Sequence, residues 1–191
     1  MQKHITVEKP PVGGRAAIGE NTSRIHLLGH TFSFQYHDIF VLFTVLLRLS
    51  MAWIFLWAGF DKLIGGFSAA GFLTRATSGP LHSWWVSLGE SSTALAVINP
   101  LIIWSQILMG FALFFGVATR FTLFWAGSMM FLFYLAQFPP EHDLFFDYYL
   151  VYILVYLMLG VLGAGRILGL DKYIEKWPVV RRVPWLKYLL G

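Results

Sequence analysis

The sequence predicts an all-α integral membrane protein built around a bundle of four transmembrane helices. Of its 191 residues, 57% are hydrophobic and only 13% are charged, whereas an ordinary soluble domain is about 25% charged. A soluble globule of this size could not cover its surface with 14 basic and 10 acidic side chains. Four stretches are also apolar over roughly the 20 residues that a spanning helix needs.

The four predicted spans follow these apolar stretches. They cover residues 39–63, 94–117, 121–138 and 144–168. Pro139 and Pro140 end the third span, because proline lacks an amide donor and restricts the residue before it. The chain therefore divides into an N-terminal arm over residues 1–38, a membrane domain over 39–170 and a basic tail over 171–191.

The segments outside the spans are expected to lie at the membrane surface. The arm lacks the apolar core of a signal peptide, so we expect it to remain attached. Residues 31–36 alternate polar and aromatic side chains, which suits a short strand or an interfacial anchor, and we favour the anchor. Residues 67–73, after the first span, predict a short interfacial helix. The tail mixes basic and aromatic residues, which is typical of a segment on anionic lipid.

Basic residues predict the orientation of the bundle. With four spans, both termini lie on one side of the membrane, together with the loop at Arg120. That side holds eleven lysines and arginines. The other side holds Lys62 and Arg75. This bias places both termini of a multi-pass cell-membrane protein in the cytoplasm. The basic residues lie beside membrane ends, so we expect membrane lipids as partners and no nucleic acid.

Several cofactor classes are not expected in this chain. It contains no cysteine, which excludes cysteine-ligated iron–sulfur clusters and disulfides. All six histidines lie outside the predicted spans, so haem held by histidines inside the bundle is not expected. The sequence has no glycine-rich nucleotide fingerprint. If the protein handles electrons, a diffusible quinone or a partner has to carry them.

Arg48 is the sharpest single feature of the predicted spans. It lies about 15 Å beyond Asp38 at 1.5 Å per residue, close to the middle of a bilayer. A charge there costs roughly 2.5–3.5 kcal/mol on insertion scales, so it should face protein or water. No acidic residue lies at that depth in the other spans, where Gln106 is one available polar partner. Arg48 either caps carbonyls between helices or contacts a quinone, an anion or another subunit.

Two further cations are candidates for ligand contact. Lys62 shares a helical face with Arg48, about 21 Å away. The two could line a cleft for an amphiphilic ligand, and the alternative for Lys62 is snorkelling to the outer headgroups. Arg75 lies on the same outer side and is expected to attract an anionic substrate.

A group of four residues before the fourth span is the candidate catalytic site for proton exchange. The group consists of Glu141, His142, Asp143 and Asp147. The last two lie on one face if the helix begins there, and histidine can accept a quinol proton near neutral pH. The alternative is a solvated turn with helix-capping acids. The spacing does not predict a metal site.

Three segments of the chain resemble the DoxX/DoxD-like membrane family. The first begins with Arg48 and continues to Gly59 and Lys62, the second runs from Gly110 through Gly116 to Arg120, and the third is the glycine-rich segment 163–171, ending in an aspartate. The resemblance covers about residues 40–175. It implies a four-helix membrane bundle.

The resemblance also implies a function. The DoxD branch is the large subunit of thiosulfate:quinone oxidoreductase, which converts thiosulfate to tetrathionate and passes electrons to quinone with a small DoxA partner. The chain is therefore expected to be a membrane subunit of such a quinone-linked complex, with a DoxA-like or other electron-transfer partner. The alternative is a non-catalytic accessory subunit that stabilises a larger respiratory or photosynthetic complex and its lipid and quinone surroundings. A solute transporter is less favoured, because no broken spanning helix marks a midplane site.

Overall fold

The computed structural model describes residues 22–27, 30–139 and 147–191, with side chains from Asp38 onward. The chain divides into two compact units at Val41–Leu42. The first unit contains an antiparallel pair of strands, β1 (Thr22–Leu27) and β2 (His30–Gln35). These strands lie in the predicted N-terminal arm, and the all-α bundle was predicted for residues 39–170. Of the two alternatives for residues 31–36, the backbone takes the strand, because β1 supplies the ladder of hydrogen bonds that a lone strand lacks.

In its described part the second unit consists of helices and the segments that connect them. The longer helices are α1 (Tyr36–Gly65), α4 (Ser92–Phe115), α5 (Thr119–Ala136) and α6 (Tyr148–Val161). The helices α2 (Ala70–Arg75) and α3 (His82–Glu90) lie between α1 and α4. The tail forms α7 (Asp171–Ile174), α8 (Pro178–Arg182) and a 3₁₀ helix (Pro184–Leu189).

Two of the described helices are long and apolar enough to cross a membrane. They are α1, from Asp38, and α4. Helix α5 has 18 residues and is about 27 Å long, and α6 has 14 residues and is about 21 Å long. The four predicted spans thus correspond to four helices in the predicted order, and four membrane crossings stay a prediction.

One hydrophobic core joins α1, α4, α5 and α6. Its members include Ala52, Phe55, Leu113, Ala126 and Leu159, which are all buried. Small residues bring the backbones of α1 and α4 together, as in the helix pairs of membrane bundles. A Cβ on Gly59 would lie 3.0 Å from the backbone nitrogen of Ile107, and one on Gly110 would lie 2.9 Å from that of Leu56.

Large apolar side chains cover the outer faces of the same helices. Trp57 is 66% exposed and Phe124 is 67% exposed. Trp53, Leu101 and Leu108 are likewise more than half exposed. A soluble monomer rarely exposes a contiguous apolar surface of this kind, which is typical of helices that face lipid or another protein.

Candidate functional site

The guanidinium of Arg48 is enclosed by the chain that follows α6. The residue is 1% exposed. Its Nη1 donates to the carbonyl oxygen of Ala164 and, at 2.7 Å, to that of Ile167, while Nη2 donates to the carbonyl of Leu168 at 3.1 Å. Carbonyls at and beyond a helix C-terminus have no helical partner. Arg48 therefore fastens this segment to α1, which is the capping alternative of the sequence analysis, and a quinone or anion contact stays a prediction.

The depth of Arg48 in a bilayer stays a prediction, and its contacts place it relative to the neighbouring helices. Its carbonyl partners lie beyond the end of α6, and a Cβ on Gly116, in the turn after α4, would lie 3.1 Å from Nη1. Arg48 is thus level with the ends of its neighbours rather than with their middle.

Asp171 supplies the negative charge near Arg48. It is fully buried, and its attraction acts on the Arg48 charge. Its Oδ1 accepts the backbone N–H of Ala118 at 2.7 Å, and Oδ2 accepts those of Thr119 at 3.0 Å and Gly191 at 2.8 Å. The carboxylate thereby caps the start of α5, where N–H groups and the helix dipole favour an anion. Sequence analysis considered acids in the other spans, whereas the acid whose charge acts on Arg48 comes from the predicted tail.

Three glycines allow the two charged side chains to be enclosed. Gly116 has φ +65°, and a Cβ there would lie 2.8 Å from the Cα of Gly169. A Cβ on Gly169 would lie 3.0 Å from Nη1 of Arg48, and one on Gly165 would lie 2.7 Å from the Cβ of Thr119. We call Arg48, Gly116, Gly165, Gly169 and Asp171 the Arg48 cluster.

The Arg48 cluster joins the three segments that carry the family resemblance. Arg48 belongs to the first segment, Gly116 to the second, and Gly165, Gly169 and Asp171 to the third. Backbone hydrogen bonds tie the second and third segments, with the amide of Asp171 donating to the carbonyl of Gly116 at 2.8 Å. The shared residues therefore have a structural use in this chain.

The predicted cleft between Arg48 and Lys62 is filled by packing. Ala52 and Phe55, which lie between them on α1, are buried in the core. The ammonium of Lys62 donates to the carbonyl of Ala58 at 3.1 Å and lies 5.5 Å from the centre of the Phe67 ring. This position in the last turn of α1 suits a cation, because the helix dipole is negative there.

The other two predicted contact residues lie apart from the Arg48 cluster. Gln106 is buried on α4 beside Gly59, and its Oε1 has no hydrogen-bond partner among the described residues. It does not bond Arg48, whose partners are carbonyls. Arg75 is exposed at the end of α2, and its guanidinium folds back towards Gly71.

The predicted proton-exchange group is described at one position. Glu141, His142 and Asp143 lie outside the described residues, so their role stays a prediction. Asp147 is 7% exposed and is the N-cap of α6, with its carboxylate accepting the amide of Tyr148. The helix-capping alternative is therefore confirmed for Asp147, and the described helix begins after it.

Sequence reasoning missed a groove between α5 and α6. Its volume is about 700 Å³, and its walls are mainly apolar. Arg120 lies in it, and its Nε donates to the carbonyl of Gly160 at 3.0 Å. Gly127 and Gly160 leave room in opposite walls of the groove. These two glycines, together with Arg120, were the sequence feature that could have predicted it. No group of three potential metal ligands occurs among the described residues.

Comparisons with protein-family models, curated proteins and solved structures gave no match to this chain.

Proposed function

We propose that the chain is the membrane subunit of a quinone-linked redox complex, most concretely of a thiosulfate:quinone oxidoreductase. The observation that supports this function is the convergence of the three DoxX/DoxD-like segments in the Arg48 cluster. The gaps between them are 47 and 42 residues long, and a chance resemblance would give no reason for them to meet around one buried charge. We therefore interpret the resemblance as a shared fold, and we infer the reaction from the DoxD branch of that family.

In this proposal α1, α4, α5 and α6 cross the cell membrane, with both termini in the cytoplasm. The exposed tryptophans and leucines of α1 and α4 support lipid contact, since water would disfavour such a surface. Arg120 and Arg166 lie at the same end as the Arg48 cluster, which agrees with a cytoplasmic position for that end.

The reaction assigns distinct tasks to the chain and its partner. Two thiosulfate ions each lose one electron and join through a new S–S bond, and quinone takes the two electrons with two protons. His142, with Glu141 or Asp143, exchanges protons with the quinone at the outer surface. Lys62 and Arg75 contribute positive charge on that side, and the DoxA-like partner takes part in electron transfer from thiosulfate.

Reconstitution tests this function directly. The chain and its partner are placed in quinone-containing liposomes, and thiosulfate-dependent tetrathionate formation and loss of quinone absorbance are measured. We expect His142→Ala to slow the reaction by on the order of 10²-fold, as loss of a general acid–base does. The control is His82→Ala, an exposed histidine of α3 whose Nδ1 lies 3.0 Å from the Thr77 hydroxyl.

Two results would contradict the proposal in different ways. No quinone reduction by the unaltered complex would refute the enzymatic function. Equal rates for His142→Ala and His82→Ala would refute the role of His142 alone.

A non-catalytic accessory subunit is the second candidate. The use of Asp147 as a helix cap favours it, because that carboxylate is committed to holding α6 in place. Stable co-purification with an oxidase or a photosynthetic core, without thiosulfate-dependent electron transfer, would support this function over the first.

A further inference from the structure

The groove between α5 and α6 has the dimensions of a single-leaflet site. Its α5 wall runs from Arg120 to Phe131, which is about 17 Å of helix. The hydrocarbon core of a bilayer is about 30 Å thick, so the groove extends over roughly one leaflet. The facing α6 wall ends with Gly160 and Val161 beside Arg120. The groove therefore has the cation of Arg120 at one end and an apolar surface along the rest of its length.

The groove walls are suited to hydrocarbon. A Cβ on Gly127 would meet nothing within 4 Å, and one on Gly160 would meet Leu123 at 3.8 Å, so both glycines leave open space. The hydroxyl of Ser128 donates to the carbonyl of Phe124 within its own helix. Because this hydroxyl already donates its hydrogen, it is not free to donate to a quinone oxygen. This part of the wall therefore offers a ligand mainly dispersion contacts.

Arg120 supplies a positive charge at one end of the groove. Its Nε is used by Gly160, and the ion pair found in the described part of the chain lies elsewhere, between Arg166 and Glu175. The terminal nitrogens of Arg120 can therefore donate to a ligand in the paired geometry that suits a phosphate. A cation in the first turn of α5 also faces the positive end of the helix dipole, and a bound anion would offset that repulsion.

We propose that this groove binds one anionic phospholipid, with its phosphate on Arg120 and one acyl chain lying over Gly127. The positive charge of Arg120 selects an anionic headgroup, and the open surface at Gly127 contacts the acyl chain of the lipid. The site requires that α5 and α6 lie in a membrane, but it does not depend on any quinone chemistry.

Native mass spectrometry of the full chain, released from nanodiscs of phosphatidylglycerol and phosphatidylcholine mixed in equal amounts, tests the site. We expect one retained phosphatidylglycerol per chain. Arg120→Gln and Gly127→Leu should each reduce retention at least 10-fold, by removing the charge and by filling the groove. Arg120→Lys should keep part of it.

Two variants serve as matched controls. Arg166→Gln removes an equal charge from the same end of the bundle. Gly65→Leu adds the same atoms at another helical glycine with nothing within 4 Å. Both should retain the lipid within twofold of the unaltered chain, which would support a site specific to the groove.

Several outcomes would overturn the proposal. Equal retention of phosphatidylcholine would show that the headgroup charge is not recognised, and unchanged retention in Gly127→Leu would place the lipid elsewhere. If soluble glycerol phosphate bound with the same affinity as phosphatidylglycerol, the apolar groove would contribute nothing to binding. Displacement of the lipid by a short-chain quinone, with the same dependence on Arg120, would make quinone the occupant. If Arg120→Gln does not fold, the Gly127 and competition measurements decide the question.

Discussion

Replacing Asp171 with asparagine should destabilise the protein far more than the same change at Asp147. Asp171 accepts three backbone N–H groups and faces the buried charge of Arg48. Asparagine has the same shape but must turn its NH₂ group towards at least one of those donors. At Asp147 the carboxylate accepts one amide from the described residues, and asparagine caps helices as well as aspartate does.

The magnitude follows from these contacts. Hydrogen bonds to a charged group contribute about 1.5–3 kcal/mol each, against about 0.5–1.5 kcal/mol for neutral pairs. Arg48 and Asp171 form no direct ion pair among the described residues, so the cost of about 3–5 kcal/mol for breaking a buried ion pair is an upper bound. Because the Arg48 guanidinium keeps its carbonyl partners, we expect the lower part of that range, about 3–4 kcal/mol, for Asp171→Asn. We expect less than about 1 kcal/mol for Asp147→Asn.

The assay is unfolding of the purified chain in mixed micelles with increasing SDS, followed by tryptophan fluorescence and circular dichroism. A double-mutant cycle with Arg48→Met measures the attraction between the two charges, and it should give a coupling energy well above the 0.3–0.5 kcal/mol scatter of independent sites, on the order of 1 kcal/mol or more. Equal stability of the two asparagine variants would refute the assignment of Asp171 as the central cap. Strict additivity in the cycle would refute the electrostatic attraction.

Two further predictions concern glycine positions and topology. Gly116→Ala should lower the free energy of unfolding by at least about 2 kcal/mol, because alanine is strained at positive φ and its Cβ would press on Gly169. Gly127 lies on an open helical surface, where alanine is a better helix former than glycine. The same SDS titration should therefore show that Gly127→Ala raises the free energy of unfolding by about 0.5–1 kcal/mol. The absence of native cysteine allows single-cysteine mapping of the four-span topology. A membrane-impermeant maleimide should label Ser83→Cys in intact cells and Lys176→Cys after permeabilisation, and the reverse pattern, or equal labelling, would contradict the orientation.

The helices were largely predictable from composition, because each span is a local property of the chain. The second predicted span, residues 94–117, overlaps α4 almost completely, and the third, 121–138, is α5 shifted by two residues. The helix predicted over residues 67–73 forms three residues later, as α2. Strand β2 was under-predicted, because its stability depends on a partner strand that the alternation of residues 31–36 does not reveal.

The environment of Arg48 was not predictable in the same way. Its partners are backbone carbonyls more than a hundred residues away, and a carbonyl leaves no mark in the sequence. Asp171 looked like part of a basic surface tail, because its sequence neighbours are charged and aromatic. Its burial results from the close packing of the segment after α6, which the absence of a Cβ at residues 165 and 169 permits. Sequence spacing identified the unusual residue and the glycines, and their contact required the tertiary fold.

The order of synthesis gives the Arg48–Asp171 pair a kinetic consequence. Asp171 follows Arg48 by 171 − 48 = 123 residues, so at about 5–20 residues per second the ribosome adds it roughly 6–25 s later. For that interval the nascent first helix carries a guanidinium without the acid and the carbonyls that enclose it in the finished chain. Enclosure of Arg48 is therefore a late event, and a stalled or shortened product that lacks Asp171 should be degraded faster than the full chain.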